Sequence, residues 1–326
     1  MMTSIFNKVL EIFNSHNAFI LLTHTNPDHD AVASCLAFDA VARKYDKKSL
    51  ILMDTPLTGV LSKIKGTERV GYDFSLISTN PADVIVTLDC AEEARVGALQ
   101  GWRDLGKIVV NIDHHASNGM FGDINLVEGK ASSTGEVLWE VLRYGGISID
   151  EEIATYLYLS IVSDTGFFKF ENTTEKTFYY ASELVKLGAK PWSIAMILAN
   201  GYGIERLNLL KKALDNITIY YNGSLAIMLI TKEMLLQTGA HRSDTDFFVE
   251  YPRGIDGVKV GALIREEEKD FYSVSLRSNN EVDVSALAGF FGGGGHMKAS
   301  AFRLKCSLDE LIEKLVSKSA DMFNSK

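Results

Sequence analysis

The feature that most constrains the fold is a series of short apolar segments, each ending in an acidic or histidine residue. These candidate strands are AFILLTH (18–24), SLILMD (49–54), DVIVTLD (83–89) and KIVVNID (107–113). Helical patterns lie between or after them, as in residues 30–45 and in residues 132–145, which begin with good capping residues. Short apolar strands that alternate with helices predict a doubly wound, mainly parallel α/β sheet with helices on both faces.

The sequence pattern changes in the second half of the chain. We predict an α/β domain over residues 1–190, a helical connector over residues 191–215 and a smaller α+β domain over residues 216–326. The stretch ITIYYNGSLAIMLI (217–230) is typical of a β-hairpin with Asn-Gly at its turn. The 326 residues are therefore expected to form two domains.

Charge and cysteine content narrow the class of protein. The formal net charge of −9 argues against a protein that holds long duplex nucleic acid, which needs a basic surface, but leaves room for one small phosphorylated ligand. The three cysteines lie far apart and suggest neither zinc nor a disulfide framework, which fits the cytoplasm. No apolar run is long enough to span a membrane.

Acidic and histidine side chains follow the ends of several predicted elements. They are His24, Asp28, Asp30, Asp89, Asp113, His114, His115 and Asp164. Because the carboxyl ends of parallel strands meet at one sheet edge, we expect these side chains to lie together. Carboxylates with imidazoles favour Mn²⁺, with Mg²⁺ or Co²⁺ as alternatives. These residues are too many to be the ligands of one ion, so we predict two ions roughly 3.5–4 Å apart that share a carboxylate.

A second candidate site lies in the C-terminal half, in FGGGGHMKAS (291–300) and SLRS (275–278). Successive glycine N–H groups can form an anion nest, to which His296 adds a donor, and Arg277 can hold a phosphate with two parallel hydrogen bonds. A flexible turn is the alternative for the glycine run, and a solvated side chain is the alternative for Arg277.

These motifs together resemble those of a known superfamily. THTNPDHDA, TLDC, IDHH and SDTG resemble, in order, the four metal-binding motifs of the DHH phosphoesterase superfamily. SLRS and GGGGH resemble its C-terminal DHHA1 substrate-binding domain. The two-domain length, with nothing appended, is similar to the bacterial bifunctional oligoribonuclease and pAp phosphatase branch, the nanoRNases. The resemblance implies an active site in the cleft between the two domains.

The resemblance also implies a role for each matching residue. His24, Asp28 and Asp89 would hold one metal ion, and Asp30, Asp89, His114 and Asp164 would hold the other. His115 would face the substrate phosphate and assist catalysis, while Asp113 would orient its neighbours. The implied phosphate- and sugar-binding residues are Arg277, Ser278, Gly292, Gly293, Gly294, Gly295 and His296. This chain departs from the family pattern at His29, where glycine is usual, so that a histidine there adds a ligand or crowds the site.

The resemblance implies hydrolysis of short 5′-phosphorylated oligoribonucleotides to mononucleotides, and of adenosine 3′,5′-bisphosphate to AMP. Polyphosphate, pyrophosphate and linear or cyclic dinucleotides remain alternative substrates. A non-catalytic nucleotide-binding protein, with a site spoiled by His29, is the alternative from another class. Homodimers are common among similar proteins, and no membrane partner is expected.

Overall fold

The protein is described here from a computed structural model covering residues 2–79, 82–96, 107–199, 203–279 and 282–324. The chain forms two compact units, residues 1–201 and 202–326. Each unit contains one six-stranded sheet. Within the described ranges, no helix combines the length and the apolar composition that crossing a membrane requires.

The first unit is built on a parallel sheet. Its strands are β1 (Ala18–Leu22), β2 (Lys48–Leu52), β3 (Val70–Gly71), β4 (Val84–Leu88), β5 (Ile108–Asp113) and β6 (Ile124–Val127). Its helices are α1 (Met2–Ser15), α2 (His29–Lys44), α3 (Leu76–Thr79), α4 (Thr134–Tyr144), α5 (Glu151–Asp164), α6 (Glu175–Lys186) and α7 (Pro191–Ala199). The strand order is β3-β2-β1-β4-β5-β6, and every pair is parallel.

Apolar side chains cover both faces of this sheet. Alternate residues of β1 point to opposite faces, so Leu21 joins the larger core beneath α2, α4 and α5, and Ile20 joins a smaller core on the other face. In β4, Val86 likewise joins the larger core and Ile85 joins the smaller one. The prediction of a doubly wound α/β domain with a buried parallel sheet is confirmed.

The strand order creates a crevice at one edge of the first sheet. From β1 the chain moves outward through β2 and β3, then returns to place β4 on the other side of β1. Such a reversal separates the loops that follow β1 and β4, and ligands of open α/β sheets bind there. His24 follows β1 and Asp89 follows β4, so both lie at this point.

The second unit contains a mixed sheet, as expected for an α+β domain. Its strands are β7 (Ile217–Tyr220), β8 (Leu225–Ile230), β9 (Val260–Glu268), β10 (Phe271–Ser278), β11 (Gly294–His296) and β12 (Ala299–Lys305). Its helices are α8 (Ile204–Asp215), α9 (Lys232–Thr238), α10 (Glu250–Arg253), α11 (Val284–Phe290) and α12 (Leu308–Asn324). In the order β11-β12-β10-β9-β8-β7, only β8 and β9 pair in parallel.

Local sequence explains the first hairpin of the second unit. β7 and β8 pair antiparallel, and Asn222 of the predicted Asn-Gly turn has a left-handed backbone with φ of 49°. The glycine-tyrosine-glycine interruption of the predicted connector falls at residues 201–203, of which 201 and 202 lie outside the described residues. Helix α7 precedes this point and α8 follows it.

Candidate metal centre

Three strand ends deliver side chains to the switch point of the first sheet. In register, Leu22 of β1 lies beside Thr87 of β4, and Leu88 of β4 lies beside Ile112 of β5. The residues just beyond these pairs are therefore neighbours. Asp89 also has a left-handed backbone, with φ of 56°, and its N–H donates to the carbonyl of Ile112 at 3.0 Å. A strained conformation of this kind costs on the order of 1–3 kcal/mol and is typical of functional sites.

Two helices supply the remaining carboxylates. Asp28 caps α2, and its carboxylate accepts a hydrogen bond from the N–H of Ala31 at 3.1 Å. Asp30 lies in the first turn of α2 and is buried, whereas Asp164 is the last residue of α5 and is partly exposed. His29 is also buried at the start of α2, but its ring belongs to none of the ligand groups below.

Among the described residues of the first unit, potential metal-binding atoms form three groups whose members lie within 4.8 Å of one another. The groups are His24–Asp28–Asp89, Asp30–Asp89–His114 and Asp89–Asp113–His115. Asp89 belongs to all three groups. The first two groups coincide with the two predicted ligand sets, except that the second group lacks Asp164. Asp164 is nevertheless close to this group, because its Oδ2 lies 3.6 Å from Nε2 of His114.

The two oxygens of Asp89 face different histidines. Oδ2 lies 3.6 Å from Nε2 of His24, and Oδ1 lies 3.6 Å from Nε2 of His114 and 3.7 Å from Nδ1 of His115. A carboxylate with histidines at both of its oxygens has the arrangement needed to join two cations. The structure therefore brings together every metal ligand predicted in this unit, while their coordination of an ion stays a prediction.

The hydrogen bonds of His24 and His114 suit metal binding. Nδ1 of His24 lies 2.9 Å from the carbonyl oxygen of Thr25, and Nδ1 of His114 lies 3.2 Å from that of Ala131. A carbonyl can only accept, so in each neutral ring Nδ1 carries the proton and Nε2 carries the lone pair. Both lone pairs are directed into the carboxylate group. The donor set thus fits a pair of hard to borderline divalent ions.

His115 differs from His114 in its partner and its exposure. Its Nδ1 lies 2.7 Å from Oδ1 of Asp113, a fully buried carboxylate that also accepts from Asn118 Nδ2 at 2.6 Å. The side chain of His115 is 22% exposed against 6% for His114, so His115 has access to a molecule outside the protein. Asp113 therefore contacts the ring of His115, and the orienting role of Asp113 and the catalytic role of His115 stay predictions.

Mutual proximity changes the acidity of these groups. Burial and the charge of Asp89 raise the pKa of Asp30 well above its usual range. Burial opposes protonation of the histidines, but the carboxylates outweigh it and raise the pKa of His24 to about 9 and that of His114 to about 10. Burial raises the pKa of Asp164 to about 6 despite the opposing effect of His114. The cluster therefore holds protons that a metal ion would displace.

We expect Mn²⁺ affinity to rise with pH. The metal-free His24 and His114 are protonated between pH 6.5 and 8, because their pKa values of about 9 and 10 lie above that range. Each ion that binds a neutral ring must release a proton, so the Kd should fall about tenfold per pH unit for each proton released. Calorimetry in two buffers of different ionisation enthalpy measures both the Kd and the protons released. Binding without pH dependence or proton release would contradict the proposed ligands.

The predicted phosphate-binding residues of the second unit are neighbours within that unit. Arg277 and Ser278 end β10, and the N–H of Ser278 donates to the carbonyl of Lys298 at 3.0 Å. The turn that contains Lys298 joins β11, which includes His296, to β12. The unit therefore brings SLRS and the end of GGGGH together, while binding of a phosphate there stays a prediction.

One glycine of the run is required by packing. A Cβ at position 293 would lie 2.2 Å from the carbonyl oxygen of Ala301, so only glycine fits against β12. Two others, Gly292 and Gly295, have φ of 78° and 139°, which L-residues rarely adopt. The run is thus a specific backbone conformation, and its alternative interpretation as a flexible turn is weakened.

Sequence reasoning missed several hydroxyl groups that contact the acidic cluster. Thr134 donates to Oδ1 of Asp89 at 3.0 Å through its hydroxyl and to Oδ2 of Asp30 at 2.8 Å through its N–H. Ser160 of α5 also donates to Asp30. The Ser-Ser-Thr run at residues 132–134 predicts a helix cap, which Ser133 provides for α4. The run of hydroxyl residues before Gly135 is the sequence feature that could have indicated these contacts.

Comparison with known proteins identifies related sequences and folds. The DHH family, N-terminal domain, matches residues 18–161, and the DHHA1 domain matches residues 222–324. The bifunctional oligoribonuclease and PAP phosphatase NrnA of Thermus thermophilus is 29% identical over 91% of this chain and 87% of that protein. The protein of the same name from Bacillus subtilis is 29% identical over 90% of this chain and 91% of that protein.

A solved structure shares the fold along nearly the whole length. It is an exopolyphosphatase-related protein from Bacteroides fragilis, with a TM-score of 0.89 and 24% identity. The match covers 99% of this chain and 98% of that one. At this identity the likeness supports the fold, and the site residues rest on the geometry given above.

Proposed function

The chain belongs to the DHH family of phosphoesterases and carries a DHHA1 domain, and from this premise we propose that it hydrolyses short 5′-phosphorylated oligoribonucleotides to mononucleotides. We extend the proposal to adenosine 3′,5′-bisphosphate, which would yield AMP. Relatives named as bifunctional oligoribonucleases and PAP phosphatases support both substrates. The observation that carries the metal-dependent chemistry is the position of Asp89 between His24 and His114.

The metal-binding residues divide into two sets. His24, Asp28 and Asp89 would hold one divalent ion, and Asp30, Asp89, His114 and Asp164 the other. Mixed carboxylate and imidazole ligands favour Mn²⁺, with Mg²⁺ or Co²⁺ as the ions to compare. When bound, such a pair lowers the pKa of water and neutralises phosphoryl oxygens during in-line displacement.

Protein groups would carry the remaining steps. The attacking water would form a bond to phosphorus and release one proton to solvent, the bond between phosphorus and the leaving oxygen would break, and the leaving oxygen would take a proton from a protein group. His115 is the candidate for that proton donor because Asp113 holds its Nδ1 at 2.7 Å and its side chain is partly exposed beside the acidic cluster. Burial opposes its protonation, but Asp113 and Asp89 raise the pKa of His115 and favour the imidazolium.

The substrate phosphate would be bound by residues of the DHHA1 domain. Arg277 offers a planar guanidinium suited to two parallel hydrogen bonds, and His296 and the glycine N–H groups add donors. Nε of Arg277 lies 3.8 Å from Oε1 of Glu250, which also pairs with Arg253, so a phosphate would compete with this carboxylate.

Replacing Arg277 by alanine should raise KM for the dinucleotide about 10- to 100-fold, which corresponds to the loss of a charged hydrogen bond. Mn²⁺ affinity should not change, since the predicted ligands lie in the other unit. Arg303→Ala is the matched control, because Arg303 is an exposed arginine on β12 of the same sheet. An unchanged KM in Arg277→Ala would remove Arg277 from the substrate site.

A competition assay tests the substrate directly. Purified protein with Mn²⁺ receives 5′-phosphorylated diadenylate, adenosine 3′,5′-bisphosphate and short polyphosphate in one mixture, and chromatography follows the products. We expect loss of the dinucleotide and of the bisphosphate. If only polyphosphate shortened, the nucleotide substrates would be wrong and the metal centre would stand. If no substrate reacted while nucleotide bound, the protein would be a binding module.

A further inference from the structure

The carboxylate of Asp30 is bound by three donors from three different elements. The hydroxyls of Ser34 and Ser160 donate to its Oδ1 at 3.0 and 2.5 Å, and the N–H of Thr134 donates to its Oδ2 at 2.8 Å. All four residues are buried. Below, the two serine hydroxyls on Oδ1 are called the hydroxyl clamp.

The other contacts of Ser160 fix the direction of its proton. Its oxygen accepts from the N–H of Gly135 at 2.9 Å, and its hydroxyl can donate either to Oδ1 of Asp30 or to Oγ of Ser133 at 3.0 Å. Position 135 must be glycine for this approach, because a Cβ there would lie 2.1 Å from the Ser160 oxygen. A hydroxyl has one proton and an ionised carboxylate can only accept, so beside ionised Asp30 the proton of Ser160 points to Oδ1, the shorter of its two contacts.

These contacts leave few free positions on Asp30. Asp30 must lose its proton to bind a metal ion, and an ionised carboxylate has about four acceptor positions, two on each oxygen. The hydroxyl clamp uses both positions of Oδ1, and Thr134 uses one of Oδ2. A single position remains on Oδ2, the oxygen that lies 3.8 Å from Nε2 of His114. Asp30 can therefore bind only one cation, through one oxygen.

Asp89 has the opposite arrangement. Among the described residues, Thr134 is the one hydroxyl that donates to it, at Oδ1 and 3.0 Å, so both oxygens keep positions for a cation. The surrounding donors thus leave both oxygens of Asp89 able to bind cations and restrict Asp30 to a single bond. The difference follows from the two serines, since Thr134 contacts both carboxylates.

We propose that Ser34 and Ser160 are positioning residues that make the metal centre discriminate against Ca²⁺. This inference rests on the proposed metal centre. Ca²⁺ takes six to eight oxygen ligands and commonly binds both oxygens of a carboxylate, whereas smaller ions such as Mg²⁺ use one oxygen in near-octahedral geometry. The hydroxyl clamp blocks two-oxygen binding by Asp30 and so removes a ligand that Ca²⁺ needs more than Mn²⁺ does.

The test measures the Kd for Mn²⁺ and for Ca²⁺ by calorimetry on the metal-free full-length protein. In Ser160→Ala, the ratio of the Ca²⁺ Kd to the Mn²⁺ Kd should fall about tenfold, the lower end of the effect of removing a group that orients a ligand. Ser163→Ala is the matched control, because Ser163 is a buried serine on the same helix whose hydroxyl donates to the carbonyl of Ser160 at 2.9 Å. Its ratio should equal that of the wild type.

Ser34→Ala provides a second, independent variant, because it removes the other hydroxyl from the same oxygen. A fall in the ratio in either variant, with the control unchanged, supports the proposal. A ratio equal to that of the wild type in both folded variants would overturn it, even if they melt at lower temperature. A wild-type protein that binds no Mn²⁺ would instead overturn the metal centre and the proposed function.

Discussion

Asp89→Asn is expected to lower kcat for the dinucleotide by more than about 1,000-fold, because metal ions supply several kcal/mol of charge stabilisation in the transition state. In the part of the first unit that the structure describes, Asp89 alone belongs to all three ligand groups. Burial disfavours its charge, but the histidines around it hold its pKa below the usual range, so Asp89 is ionised at neutral pH. An amide in its place offers one weak oxygen and cannot join two cations.

The matched control for this variant is Asp83→Asn. Asp83 is exposed and precedes β4, whereas Asp89 follows it, so the two carboxylates flank opposite ends of one strand. We expect the control to retain the wild-type kcat and Mn²⁺ content. Measurements of kcat at saturating Mn²⁺, with metal content by mass spectrometry, check both variants. Substantial turnover by Asp89→Asn would exclude a mechanism in which this carboxylate joins two ions.

His115→Asn is expected to lower kcat about 10²- to 10⁴-fold, the usual contribution of a general acid or base. The Nδ1 of His115 is bound by Asp113 at 2.7 Å, so Nε2 is the ring atom that we propose donates to the leaving oxygen. Because Asp113 and Asp89 raise the pKa of His115, its activity as an acid should persist through neutral pH and decline as pH rises through that pKa. Mn²⁺ content should stay at the wild-type value.

The comparison of His115→Asn with His114→Asn separates proton donation from metal binding. His114 faces Asp30, Asp89 and Asp164 within 3.8 Å, so its loss should lower metal content as well as kcat. His241→Asn, at an exposed histidine of the second unit, is the control expected to change neither value. If His115→Asn lost an equivalent of Mn²⁺, His115 would be a ligand of the third group and its role as acid would be wrong.

The sequence predicted the position of the site because the strand topology alone brings the site residues to one edge of the sheet. Once short apolar strands alternate with helices, the residues after β1, β4 and β5 must share one sheet edge, and His24, Asp89 and His114 follow from that rule. Their oxygen-to-nitrogen separations of 3.6 Å confirm the prediction that they lie together. The prediction needed no knowledge of side-chain packing.

The features that sequence could not predict depend on packing between distant residues. Ser160 meets Asp30 across 130 positions, and Thr134 meets it across 104, because α2, α4 and α5 pack on one face of the sheet. The sequence also did not predict two short strands. β3 has two residues and β6 has four, which are too few to show the alternation of apolar and polar residues that is typical of a strand. The left-handed backbone of Asp89 gives no sequence signal either, because glycine is absent there.

The most direct test of the central claim is the activity of metal-free protein with the 5′-phosphorylated dinucleotide as Mn²⁺ is added stepwise. If two ions share Asp89, turnover stays near zero at the first equivalent and reaches its maximum only as the second site fills. Full activity at one equivalent, or no activity with two ions bound, would contradict a two-metal phosphoesterase centred on Asp89.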